Sequence, residues 1–178
     1  MTILHQWPDG KCVNSAWLWA MELMGIVRNP QLMLNATPRN FISDKRACDY
    51  FNSIGYNLDY KSVTLIQFKW VLARGLPIIA WFNWYNMESI RKSHFIAEFT
   101  DDKVHSHRFI IINECDIENK LLYNKQKRKE LWLLLARNSW GENECDKWYF
   151  YIRKEDIIRF WIMFKKWRLF NPIQIWKN

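Results

Sequence analysis

Arg137-Asn138-Ser139-Trp140-Gly141-Glu142-Asn143, followed by Trp148-Tyr149-Phe150-Tyr151-Ile152-Arg153, is an apolar strand's end, a polar turn and an aromatic restart. The run Trp132–Ala136 leads into it, so one strand is expected to close at Asn138 and another to open near Trp148. Upstream, Ser106-His107-Arg108-Phe109 opens a further apolar run, Phe109–Ile112. A histidine opening one strand and an asparagine closing its neighbour can meet at a single spot. Ile78–Phe82 and Phe95–Phe99 also read as strands.

The N-terminal half has a different period. Trp17, Ala20, Met21 and Met24 recur at helical spacing, predicting a helix over Ala16–Ile26 with Asn14 or Ser15 as its cap and Gly25 near its end. Ser43 is placed to cap a helix over Asp44–Phe51, with Gly55 closing that region. Leu65, Phe68, Val71 and Leu72 share a face of a third helix, Thr64–Arg74, stopped by Gly75 and Pro77. Lys154–Trp161 is read as one more helix. The expected class is α+β in one domain, 1–178, with 1–76 mainly helical and 77–178 mainly β.

A chain of 178 residues fits a single domain, and its 12 Trp, 11 Phe and 7 Tyr supply enough apolar area to exclude disorder. No apolar run reaches the ~18 residues of a membrane span. Met1–Pro8 lacks the basic and apolar regions of a signal peptide, so a soluble chain without its own export signal is expected. Twenty-six basic against 18 acidic side chains give +8, which favours acidic partners without choosing among them. Nucleic acid is not expected, because no recognition motif accompanies the charge. The basic stretch Asp116–Glu130 reads as a solvated hairpin loop. Cys12, Cys48, Cys115 and Cys145 show no paired zinc spacing and read as reduced thiols, so neither metal nor cofactor is expected.

The block Arg137–Asn143 with the strand after it resembles the Asn-Ser-Trp-Gly block of papain-like cysteine peptidases. His107 before its apolar strand resembles the family's catalytic histidine, and Gly10-Lys11-Cys12-Val13-Asn14-Ser15-Ala16-Trp17 resembles its nucleophile loop. The motifs stand in the family's order and span most of the chain. His94, in Ser93-His94-Phe95-Ile96, has the same form as His107; the hairpin leading to Asn138 favours His107. His5 and His105 read as surface residues, and Trp81, Trp84 and Tyr85 as packing.

The resemblance implies a two-lobe papain-like fold, with a helical lobe whose central helix begins at Ala16 and an antiparallel β lobe, the site lying between them. It implies a thiolate held by a helix end and an imidazolium, with Asn138 orienting His107 and Trp140 shielding their hydrogen bond. The family reads Cys-Trp at the helix start, so the Trp17 anchor puts the nucleophile at Ala16, which carries none. On that anchor Ala16 replaces a nucleophilic cysteine in an inactivated enzyme, since Asn138, Ser139 and Trp140 are intact. Anchoring on Cys12 as a structural half-cystine makes Ser15 the replaced position. Cys12 as the nucleophile itself ranks lower, because the pattern leaves it in the loop ahead of the helix. The family carries an oxyanion-stabilising Gln about six residues before the nucleophile; Gln6 is assigned that role through an insertion in the loop.

A chain starting so near its nucleophile loop, without an inhibitory propeptide, is expected to be a bacterial toxin or effector domain. It would act on a protein substrate in the target-cell cytoplasm, restrained by an inhibitor or immunity protein. The alternatives are a pseudopeptidase that only binds, and a deamidase, transglutaminase or amidase using the same residues.

Overall fold

The computed structural model describes residues 11–37, 41, 43–84, 105–116, 132–137, 149–153, 158 and 172–178. In chain order these form α1 (Cys12–Leu23), α2 (Pro30–Ala36), α3 (Asp44–Ser53), β1 (Leu58–Ser62), α4 (Leu65–Ala73), β2 (Ile78–Trp84), β3 (His105–Asp116), β4 (Trp132–Arg137), β5 (Tyr149–Arg153) and β6 (Ile173–Lys177). The class is α+β, as the two periodicities predict.

Local chemistry sets most helix boundaries. Ser43 Oγ accepts from the Arg46 amide at 3.3 Å, opening α3 one residue after the cap expected from sequence. Thr64 and Gln67 form a reciprocal capping box at the start of α4: the Gln67 amide donates to Thr64 Oγ1 at 3.3 Å, and the Thr64 amide to Gln67 Oε1 at 3.1 Å. Beyond its end Gly75 has φ +69°, a left-handed turn that a side chain would strain. In α2, Pro30 stands at the start and Asn29 Oδ1 accepts from the Leu32 amide at 3.2 Å.

Helix α1 departs from expectation. Its first residue is Cys12, four positions before Ala16, and the residue ahead of it, Lys11, makes no side-chain cap. Asn14 and Ser15 are therefore not caps but members of its first turns, both fully buried. The helix is already in the core from Val13, so the apolar period starting at Trp17 marks neither its beginning nor its entry into the core.

Among the described residues the six strands form one sheet in the order β1-β6-β2-β3-β4-β5, every neighbouring pair antiparallel. The final strand lies between β1 and β2, pairing Leu58 with Lys177 and Ile79 with Ile173. Within the first 76 residues β1 stands among four helices and closes one edge of the sheet. The sequence reading also lacked α2, β1 and β6. β1 and β6 are five residues each and α2 seven. β3 runs farther than its apolar stretch and changes register between Ile111 and Asn113, as a bulge. Phe95–Phe99 lies outside the described residues, as does Lys154–Trp161 apart from Ile158.

Trp17, Leu18, Trp19, Ala20 and Met21 are fully buried, so α1 is apolar on nearly every side and works as the core's central post. It packs on β3 and β2 and against α2 and α3, while α4 packs on β2 and β3. One continuous core joins Trp17, Phe51 and Leu58 with Ile79, Ile173 and Ile175, so residues before and after position 76 share it. Outside the core, Ile66 and Trp70 are exposed on α4, with the Arg74 guanidinium 3.9 Å from the Trp70 ring centre. No described helix is long and apolar enough to cross a membrane.

Candidate active site

The first turn of α1 brings Lys11, Cys12, Asn14 and Ser15 together by chain geometry, and each has a different fate. Cys12 is half-buried at the first helical position. The opening amides of an α-helix have no acceptor within the helix, and their summed dipoles give that end a partial positive charge. No acidic side chain lies in the first turn of α1 to offset it.

Lys11 turns away toward the end of α2, where its Nζ donates to the Leu34 carbonyl at 3.3 Å and the Thr37 carbonyl at 3.5 Å. A cation on the carbonyl end of a helix is favourable for the same dipole reason. Asn14 holds the chain just beyond. Its Nδ2 donates to Thr37 Oγ1 at 3.2 Å, and its Oδ1 accepts from the Phe41 amide at 2.9 Å. The segment between α2 and α3 is therefore fastened at both sides to the turn that carries Cys12. Sequence reasoning missed this role, since Asn14 resembles an N-cap and its partners lie more than 20 residues away.

Ala16 sits on the second turn of α1 and is 1% exposed. Trp17, expected to lie beside the reacting sulfur, instead donates from its indole Nε1 to Asp44 Oδ1 at 3.0 Å, both residues being buried. Its ring stacks on Phe51 with centres 6.2 Å apart and meets Tyr60 edge-on at 5.8 Å. Asp44 is the first residue of α3, so one carboxylate serves the positive end of that helix and the buried indole together. Trp17 is thus an anchor of α1 to α3.

His107 lies in β3, where it pairs with Phe82 of β2. Because α1 packs on β3, the helix that begins with Cys12 and the strand that contains His107 are direct neighbours. Ile110, farther along β3, pairs with Ile79 of β2. β4 ends at Arg137, and Arg137 pairs with Ile110, three residues along β3 from His107. Asn138 is the next residue in the chain; it lies outside the described residues, as do Gln6, Trp140, His5 and His94. His105 opens β3 and pairs with Trp84. Among the described residues no cluster of three or more His, Cys, Asp or Glu side chains is placed to hold a metal ion.

The second described thiol has the opposite setting. Cys48 is buried within α3 and its Sγ donates to the Leu58 carbonyl at 3.4 Å. Burial first, then the Asp59 and Asp49 carboxylates, push this thiol above its ordinary 9.0. Its role is to tie α3 to β1, assisted by Asn52, whose side chain brackets Leu58 at 2.9 Å and 2.7 Å.

No protein-family model matches the chain, and no curated protein is significantly similar to it.

Proposed function

We infer that the protein is a papain-like cysteine peptidase whose nucleophile is Cys12, with His107 as its proton-transfer partner and Asn138 orienting the imidazole. One observation carries the reading: the helix that packs on the His107 strand begins at Cys12, not at Ala16. Cys12 stands at the helix end and not in a loop ahead of it. Spacing agrees. Gln6 stands six residues before Cys12, the interval at which the resemblance expects an oxyanion donor, so no loop insertion is needed. The Ala16 register would require a buried nucleophile on the second helical turn. With Cys12 in the role, the chain carries its own thiol and needs no inactivating replacement to be explained.

In this reading His107 takes the thiol proton, and the Cys12 sulfur attacks the substrate carbonyl as the carbon–oxygen π pair moves onto oxygen. The Cys12 amide and the Gln6 side chain stabilise that oxyanion. Collapse expels the amine, which takes its proton from the imidazolium and leaves a thioester. Water, deprotonated by the imidazole, then releases the acid and restores the thiol. The bacterial toxin or effector setting, with a cytosolic protein substrate and a separate inhibitor, remains part of the proposal and is supported by the +8 charge only as far as an acidic partner.

The test is the rate of Cys12 alkylation by iodoacetamide from pH 5 to 9 in the wild type and in Cys12→Ser, His107→Ala, His105→Ala and His94→Ala. The expected result is rapid Cys12 labelling that persists below pH 7 and is lost in His107→Ala alone. Labelling that rises only as an ordinary thiol ionises, unaffected by any histidine, would overturn the reading. Loss in His105→Ala or His94→Ala instead would move the base to that residue.

A further inference from the structure

Helix α4 packs on β2 and β3 and buries Phe68, Val71 and Leu72, yet it carries a second apolar surface that faces water. Ile66 is 89% exposed and Trp70 51%, with Leu65 at 37%. Ile66 and Trp70 stand four residues apart, as do Trp70 and Arg74, so the three follow one stripe of the helix to its end. Lys69, three residues after Ile66, borders the stripe, and both cations are exposed. Single exposed apolar residues are ordinary, whereas a contiguous patch bordered by polar groups marks an interaction surface.

The charge around this patch has one sign. Between Asp59 and Glu88 the chain carries Lys61, Lys69 and Arg74 and no acidic residue. The Arg74 guanidinium lies over the Trp70 ring, 3.9 Å from its centre. An arginine so placed still presents N–H donors at its edge, in the fork that fits a phosphate. A protein partner is recognised through charges of both signs set against its own. An anionic bilayer instead offers an apolar layer beneath phosphates, and it selects apolar side chains flanked by cations, with tryptophan at the level of the headgroups.

We propose that the outer face of α4 docks on an anionic lipid bilayer. Ile66 and Trp70 enter the boundary between headgroups and acyl chains, while Lys69 and Arg74 lie on the anionic headgroups. The contact is peripheral, with α4 keeping its place on the sheet. Neither Cys12 nor His107 takes part, so the docking face is independent of the peptidase reading. Each cation close to an anionic surface strengthens binding about fivefold. An isoleucine that passes from water into the apolar boundary adds about tenfold.

The experiment is sedimentation of the full chain with vesicles of phosphatidylcholine alone, and of phosphatidylcholine with phosphatidylserine at about one lipid in three. Binding to the anionic vesicles is expected to be at least about tenfold tighter, and to weaken as salt rises from about 0.1 M to about 0.5 M. Ile66→Ser is expected to weaken it about tenfold and Ile66→Leu to retain it. Lys69→Gln and Arg74→Gln are expected to cost about fivefold each. Leu32→Ser and Arg28→Gln alter an exposed leucine and an exposed cation elsewhere, and are expected to stay within about twofold of the wild type. Urea unfolding of Ile66→Ser is expected to match the wild type, because so exposed a side chain packs little. No binding to the anionic vesicles, or equal binding to both compositions, would overturn the proposal and leave the face to an acidic protein. Anionic binding that Ile66→Ser leaves unchanged would overturn the seating of α4 in the bilayer. A loss in Arg28→Gln equal to that in Lys69→Gln would also overturn it, since the overall charge of +8 would then be the cause.

Discussion

Cys12 and Cys48 are the same residue on two helices of the same protein, in contrasting settings. Cys12 opens α1, half-buried, with the field of the helix end behind it and no acidic residue in that turn. Cys48 lies in the second turn of α3, its sulfur committed to the Leu58 carbonyl and its thiol pushed up by burial and by Asp59 and Asp49. The two positions differ in the forces that act on a thiol. Helix-end charge falls away within a turn, while burial penalises the thiolate wherever no cation offsets it.

The sharpest break of that comparison is kinetic. Iodoacetamide at pH 7 is expected to label Cys12 at least about 100-fold faster than Cys48 in the folded protein, with the two converging in urea; peptide mapping of the alkylated sites reads the ratio. Equal rates would remove the contrast. Next in size, Asn14→Leu strips the Phe41 amide and Thr37 hydroxyl of their partner in a buried site and should cost about 2 kcal/mol in urea unfolding. A smaller loss of about 1 kcal/mol is expected for Asn52→Ala, together with faster labelling of Cys48 as its link to Leu58 loosens.

The Cys48 thiol also carries a signed pH dependence. An acid whose folded pKa is raised contributes stability below its unfolded value and loses it as pH rises toward the folded value. Wild-type stability should therefore fall more steeply above pH 9.0 than that of Cys48→Ala, measured by urea unfolding at pH 8 and 10. The smallest effect belongs to the same helix. Lys45 and Asp49 form an exposed ion pair at 2.6 Å, and Lys45→Ala is expected to leave the unfolding midpoint within experimental scatter, because solvent screens both charges.

How much of this was legible in advance varies with the range of the forces involved. Ser43 and Gly75 were readable as punctuation, because a cap or a left-handed turn acts within a few residues, whereas Thr64 read as the first residue of α4 and is its cap, boxed with Gln67. The strands Ile78–Trp84 and Trp132–Arg137 were readable because their apolar runs are long enough to show. The start of α1 was misread for a physical reason. Lys11-Cys12-Val13-Asn14-Ser15 looks like a polar lead-in to a helix, but Asn14 is buried because residues 37 and 41 satisfy it. Only those distant partners allow polar residues to occupy helical positions inside the core.

The sequence by itself determined that the chain is α+β, that a thiol, a histidine strand and an Asn-Ser-Trp-Gly block stand in a fixed order, and that a capping serine begins α3. The tertiary structure decided which residue opens α1, that β6 fills the gap between β1 and β2, and that Trp17 is bound to Asp44. The first set depends on interactions between residues a few positions apart, whose geometry any chain segment carries with it. The second depends on pairings across more than 100 residues, such as Asn57 with Asn178, which exist only once folding has set β6 beside β1.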